Sequence, residues 1–197
     1  NEKRVVVEEE MLNILIDGDI SIIEVTYLLA VEEPLSVDYG FPVDYSTDWD
    51  YGNRFLWHDQ FLPAFAMYMN GNPLHTLQRE DKGTVTLDID FQQESGEPTF
   101  KRRWYFSKIT FKEAGIHELR VVYKIQNNFT DFMTSKSSMK SFGQRFLHYD
   151  LTPAGSCGKG NIGAFSATIS STNISLDKIA IGGRPRNWTL INPLPFP

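Results

Sequence analysis

A single cysteine, Cys157, occurs in the 197 residues, so no disulfide can form within the chain. A CxxC pair for zinc or redox work is excluded with it. Cys157 stands in Gly155-Ser156-Cys157-Gly158 with no histidine beside it to activate the thiol, which reads as a bland loop cysteine. Histidines are scarce too: His58, His75, His117 and His148 fall at none of the HxH, HxxxH or HExxH spacings that build a local metal pair. His58 and Asp59 are adjacent, but neighbours on a strand point to opposite faces. No apolar run approaches the roughly 18 residues needed to span a membrane as a helix.

Positive charge is also in short supply, with 19 Lys and Arg against 25 Asp and Glu and a net charge of -6. That field repels phosphate backbones and argues against a nucleic-acid partner. The basic clusters Lys101-Arg102-Arg103 and Arg184/Arg186 are too small for a nucleic-acid stripe, and the first reads as a solvated sheet edge. Catalytic signatures are missing as well. There is neither a Gly-x-Ser-x-Gly elbow nor a phosphate-cradling P-loop. Gly158, Gly160 and Gly163 match G-x-G-x-x-G spacing, without the strand–helix setting a dinucleotide site requires.

What is present is alternation of apolar and polar residues, the mark of half-buried strands. Ile23, Val25, Tyr27 and Leu29 share one face, and so do Leu35, Val37, Tyr39 and Phe41. The pattern returns at Val85, Leu87, Ile89 and Phe91, at Leu119, Val121, Tyr123 and Ile125, at Leu147, Tyr149 and Leu151, and more weakly at Phe165, Ala167 and Ile169. A helix cannot gather such residues on one side, because its period is 3.6 rather than 2. Turn chemistry falls between the runs. Asp17-Gly18-Asp19 reads as a tight hairpin, with further breaks at Glu32-Glu33-Pro34, Asn70-Gly71-Asn72-Pro73, Glu94-Ser95-Gly96-Glu97-Pro98 and Glu113-Ala114-Gly115. Between Trp104/Phe106 and Ile109/Phe111 the phase changes, and a β-bulge is expected near Ser107-Lys108. Short helices are expected at most in loops, at 54–60 and within 135–145. The prediction is an all-β, antiparallel sandwich of about eight to ten strands, one domain over residues 1–197.

Chemistry concentrates in residues 43–57, where Asp44, Asp48 and Asp50 stand among Tyr45, Trp49, Tyr51, Phe55 and Trp57. Aromatic faces stack on sugars or proline-rich peptides, and carboxylates hydrogen-bond hydroxyls. The predicted ligand-binding residues are Asp44, Asp48, Trp49, Asp50, Tyr51 and Trp57. Asp48 and Asp50 also place oxygen ligands at alternate positions, as a calcium loop does, although the distal bidentate glutamate is missing. The plain alternative is an inter-strand loop whose rings seal the end of the sandwich. Outward acids such as Glu24, Asp38, Asp88 and Asp90 suit a soluble sheet face, and a glycosidase would need two of them brought together from separate strands. Three sequons, at Asn128, Asn173 and Asn187, decide little.

Several blocks, namely Val7 to Ile14, Gly40-Phe41-Pro42-Val43-Asp44, the segment from Trp104 to Lys124, and Phe146 to Leu151, resemble uncharacterised bacterial cell-envelope proteins of the domain-of-unknown-function type. The resemblance implies an exported, β-rich domain that can stand as one piece of a longer protein, and carries no catalytic residues. The chain starts at Asn1 rather than Met, so an upstream leader is expected, and with it an extracytoplasmic setting. The functional expectation is a non-enzymatic module that binds a protein or glycan partner through its Asp/aromatic loop. The alternatives are a carbohydrate-active hydrolase and a structural spacer.

Overall fold

The computed structural model describes residues 4–18, 20–46, 64–86, 99–133, 141–147, 149, 161–173 and 175. Eleven strands lie within them, more than the eight to ten expected: β1 (Val5–Asp17), β2 (Ile20–Val31), β3 (Leu35–Ser46), β4 (Ala66–Met69), β5 (Asn72–Pro73), β6 (Leu77–Thr86), β7 (Thr99–Phe111), β8 (Gly115–Gln126), β9 (Asn128–Met133), β10 (Ser141–Phe146) and β11 (Ile162–Ser171). They form a six-stranded sheet in the order β11-β1-β2-β8-β4-β5, a three-stranded sheet β3-β7-β6, and the β9–β10 pair. Among the described residues there is no α-helix, and none long and apolar enough to cross a membrane. The all-β sandwich is what the alternation demanded.

The two larger sheets face each other across one apolar interior. From the six-stranded sheet come Val5, Val7, Leu12, Ile14, Ile23, Val25, Tyr27, Leu29, Met67, Leu119, Val121, Tyr123 and Ile125, all buried. Phe41, Val43, Tyr105, Ile109 and Phe111 come from the other. Their rings meet in the middle. Phe41 lies 5.7 Å from Tyr123 at 62°, and Phe65 stacks on Tyr105 at 3.6 Å and 8°. Each such ring removes a large apolar area from water.

The turns do the work their residues suit. Gly18 takes φ 60° in the β1–β2 hairpin, and Asn127 seals it by accepting from Ser21 Oγ at 2.5 Å and donating to the Gly18 carbonyl at 3.1 Å. Asn70 and Gly71, at φ 48° and 77°, make the β4–β5 turn. The Asn70 side chain bridges to β8, where Glu118 N donates to its Oδ1 at 2.8 Å and its amide nitrogen meets His117 Nδ1 at 3.1 Å. His117 is therefore a buried structural histidine, with Nε2 held by the Glu113 carbonyl at 3.1 Å.

Five expectations need correction. First, β1 and β11 pair in parallel, so the six-stranded sheet is mixed rather than purely antiparallel. Second, β7 runs against β3 without a register shift, so there is no bulge at Ser107-Lys108. Trp104 and Phe106 keep the strand phase and face outward, while Tyr105, Ser107, Ile109 and Phe111 face the core. The bulges lie elsewhere, between Val7 and Glu9 on β1 and between Glu80 and Thr84 on β6. Third, of the stretch 135–145, expected to hold a short helix, residues 141–145 belong to strand β10, whose backbone pairs with β9, and 135–140 lie outside the described residues. Fourth, Leu147 and Tyr149 lie beyond β10 rather than in a strand, though both still pack on the core. Fifth, Lys101-Arg102-Arg103 sits on the central strand of its sheet, not on an edge. Arg102 pairs there with Asp44 and Arg103 with Glu80. The helix read at 54–60 and the residues Leu87, Ile89 and Phe91 lie outside the described residues.

Candidate functional site

Residues paired across neighbouring strands share a face. On the three-stranded sheet this puts Gly40, Phe106 and Leu77 in one row, Pro42, Trp104 and Arg79 in the next, and Asp44 beside Arg102 in a third. They alternate with the core-facing Phe41, Val43 and Tyr105; Leu77 and Arg79 are exposed, Arg102, Trp104 and Phe106 half-buried, and Pro42 and Asp44 buried. The outcome is an outward aromatic–arginine surface. Trp104 and Phe106 stack with centroids 6.0 Å apart at 22°. The Arg79 guanidinium lies 4.9 Å from the Phe106 centroid, and that of Arg102 lies 5.7 Å from the Trp104 ring. Leu77, at the end of the first row, is 63% exposed.

Local bonds hold this surface in place. The Trp104 indole N–H donates to Asp81 Oδ2 at 2.9 Å. Arg102 grips Asp44 with both arms, Nε to Oδ1 and Nη2 to Oδ2, each at 2.7 Å. A fork-to-fork pair of this kind fixes geometry as well as charge. Only glycine fits beneath the rings, because a Cβ on residue 40 would stand 2.8 Å from Phe106 Cε1 and 3.3 Å from Trp104 Cε3.

Of the predicted site residues, Asp44 falls in this arrangement, with its carboxylate buried against Arg102. Asp48, Trp49, Asp50, Tyr51 and Trp57, and with them the calcium-type pair Asp48/Asp50, lie outside the described residues. Among the described residues no group of three or more His, Cys, Asp or Glu side chains is placed to hold a metal. Reading the sequence missed Arg79, Arg102, Trp104 and Phe106. The signal was available: three successive aromatics, Trp104-Tyr105-Phe106, must divide over both faces of a strand.

A second polar arrangement lies inside the sandwich. The β1 bulge makes Glu8 the extra residue, which changes the strand phase and turns Glu10 into the core instead of Glu9. Gly163 of β11 makes room for it, since a side chain there would strike the Glu8 carbonyl. Glu10 is completely buried, and Tyr149 donates to its Oε1 at 2.9 Å. Tyr149 has one hydroxyl proton, so Tyr27, 3.1 Å away, is the donor in the next link of a Tyr27→Tyr149→Glu10 chain. Among the described residues Glu10 Oε2 has no hydrogen-bond partner. Burial lifts the Glu10 carboxyl from 4.5 to about 7, against the lowering by the hydroxyls of Tyr149 and Tyr27. Burial likewise pushes Tyr27, Tyr123 and Tyr149 well above the ordinary phenol range.

No family model and no curated protein matches the chain. Among solved structures, it is similar to an M1 zinc metallopeptidase mutant bound to a Tyr-Ser-Ala substrate, from Deinococcus radiodurans, with 11% identity over 64% of this chain and 22% of that one, at a TM-score of 0.32. It is also similar to a protein named as nutrient binding from Legionella pneumophila, with 11% identity over 64% of this chain and 41% of that one, at a TM-score of 0.37. The chain thus spans well under half of either structure, and overlaps at these TM-scores do not define a shared fold.

Proposed function

We propose that this chain is a non-enzymatic binding module that takes a protein or glycan partner on the outer face of the β3-β7-β6 sheet. The face includes Asp44, near the end of β3. One observation carries the reading: Trp104 stacks on Phe106, and Phe106 pairs with the exposed Leu77, on a sheet face that arginines and acids rim and whose other side packs the core. Apolar side chains left outside the core within a polar rim mark interaction sites more often than bare solvent contact. The rigid scaffold sets the rings in advance, which limits the ordering cost of binding.

The hydrolase alternative needs two carboxyl groups roughly 5–10 Å apart facing one substrate. Glu10, the described carboxyl whose pKa is raised, is sealed in the core and has tyrosines rather than a second acid beside it. That placement favours a structural part over catalysis.

The test is an NMR titration of the isotope-labelled chain with cellohexaose, chitohexaose and a proline-rich peptide. The Trp104 indole signal is assigned from Trp104→Phe. The expected result is a saturable shift of that signal with one probe class, weakened about tenfold, a loss of about 1.4 kcal/mol, in Phe106→Ala. No shift with any probe, or binding indifferent to both substitutions, removes this reading.

A further inference from the structure

We propose that two copies of this chain associate through the outer face of the six-stranded sheet, about a two-fold axis that crosses the middle of β8. This face is the other side of the sandwich from the aromatic–arginine surface, so the two readings stand or fall separately. The sequence of β2 points to it first. A sheet with one side in water alternates apolar and polar residues, whereas strands covered on both sides read as near-continuous apolar runs. β2 follows the second pattern. While Ile23, Val25, Tyr27 and Leu29 fill the core, the positions turned the other way include Ile20, Ile22, Leu28 and Ala30.

Register extends this face over the neighbouring strands. Ile22 pairs with Leu15 of β1 and Lys124 of β8, and Leu28 pairs with Glu9 and Glu118. Between these rows, Glu24 lies beside Val122 and Thr26 beside Arg120. Leu15, Ile22, Leu28 and Val122 stay outside the core cluster and are half-buried, and Ile116 at the end of β8 is 62% exposed. On β11 the matching positions are Ala164, Ser166, Thr168 and Ser170, too small to hold a second sheet away. Strands of this length run about 40 Å and lie about 4.8 Å apart, so β11, β1, β2 and β8 offer roughly 800 Å², the share one partner gives to a standard interface.

Charge identifies the occupant. Arg120 is engaged within the chain, 3.5 Å from Glu24 and 4.7 Å from the Tyr68 ring centre. Lys124 and Glu118 are exposed and belong to no ion pair among the described residues. They share one face of β8 about 20 Å apart, too far to meet each other. A two-fold axis lying in the interface, across the strands at the level of Val121, reverses strand direction. It sets Lys124 against Glu118 of the second copy and Ile22 against Leu28 of the second copy, and symmetry repeats both contacts. An axis along β2 would instead turn β8 onto β1 and press Glu118 against Glu9, a like-charge contact. The face is therefore complementary to itself, which favours a second copy over an unrelated partner.

The test is sedimentation of the full chain at about 5–200 μM, beside the charge reversals Lys124→Glu and Glu118→Lys. Both side chains are exposed, so neither substitution disturbs the core. The parent should form a concentration-dependent dimer, and each reversal alone should weaken it at least about tenfold. An equimolar mixture of the two variants should recover the dimer, because each chain then carries the charges the other lacks. A parent that stays monomeric throughout overturns the proposal and leaves the face to a different partner. A dimer unmoved by both reversals, or not recovered in the mixture, overturns it equally.

Discussion

Gly40 carries the aromatic surface, and adding one methyl there tests whether Phe106 and Trp104 are seated as described. The Cβ of Gly40→Ala would stand 2.8 Å from Phe106 Cε1 and 3.1 Å from Cδ1. The atoms in the way belong to a side chain that faces solvent, so Phe106 swings out and the backbone is spared. The swing forfeits the stacked ring pair, about 0.5–1.5 kcal/mol, and the Arg79 contact, about 0.5–1 kcal/mol. Replacing glycine inside a strand returns about 0.5–1 kcal/mol. The expected net for Gly40→Ala is a loss of about 0.5–1.5 kcal/mol. In a Phe106→Ala background the obstacle is gone, and the same substitution should stabilise by about 0.5–1 kcal/mol. Urea unfolding of the four chains gives the coupling energy, expected at about 1–2.5 kcal/mol. An effect of the same sign and size in both backgrounds would mean that the ring is not over Gly40, and the preformed binding face would go with it.

Four further outcomes are expected. The parent chain should lose up to about 3 kcal/mol of stability between pH 4.5 and 7 and change little above that, whereas Glu10→Gln should lack this slope in chemical unfolding. Gly163→Ala should cost about 1–3 kcal/mol, because its methyl meets the Glu8 backbone carbonyl rather than a side chain that can turn away; unchanged stability would show that the bulge tolerates a side chain. Asn70→Ala should cost about 1–3 kcal/mol, since it places alanine at φ 48° and strips partners from Glu118 N and His117, and Asn70→Gly should recover the backbone part of the loss in thermal melts. If Asp48 and Asp50 hold calcium, millimolar calcium should raise the melting temperature relative to chelator, and Asp48→Asn with Asp50→Asn should abolish the rise; identical melts dismiss the metal.

The alternating runs were legible because a strand shows its faces at every second residue. Ile23 to Leu29 and Leu119 to Ile125 needed no tertiary knowledge to be placed in the core. The hairpins at Gly18 and Asn70-Gly71 were equally legible, since few residues accept positive φ. Where both faces of a strand are apolar, as in Trp104-Tyr105-Phe106, period alone misled: the change of pattern looked like a bulge. The true bulge at Glu8 left no such mark, because three glutamates in a row look polar whichever one turns inward. For the site, the sequence pointed to Asp44 but not to Arg102, 58 residues away, which the β3–β7 register brings to it.

Composition and periodicity by themselves committed this chain to strands, to an interior of alternate residues and to the places where it turns, because those depend on local sterics and on the separation of apolar from polar side chains. Which strands became neighbours, that β11 joined β1 in parallel, that one acid was folded into the core and that two rings were left facing out were decided only by assembly. Those outcomes depend on register between distant segments, and no local preference encodes it.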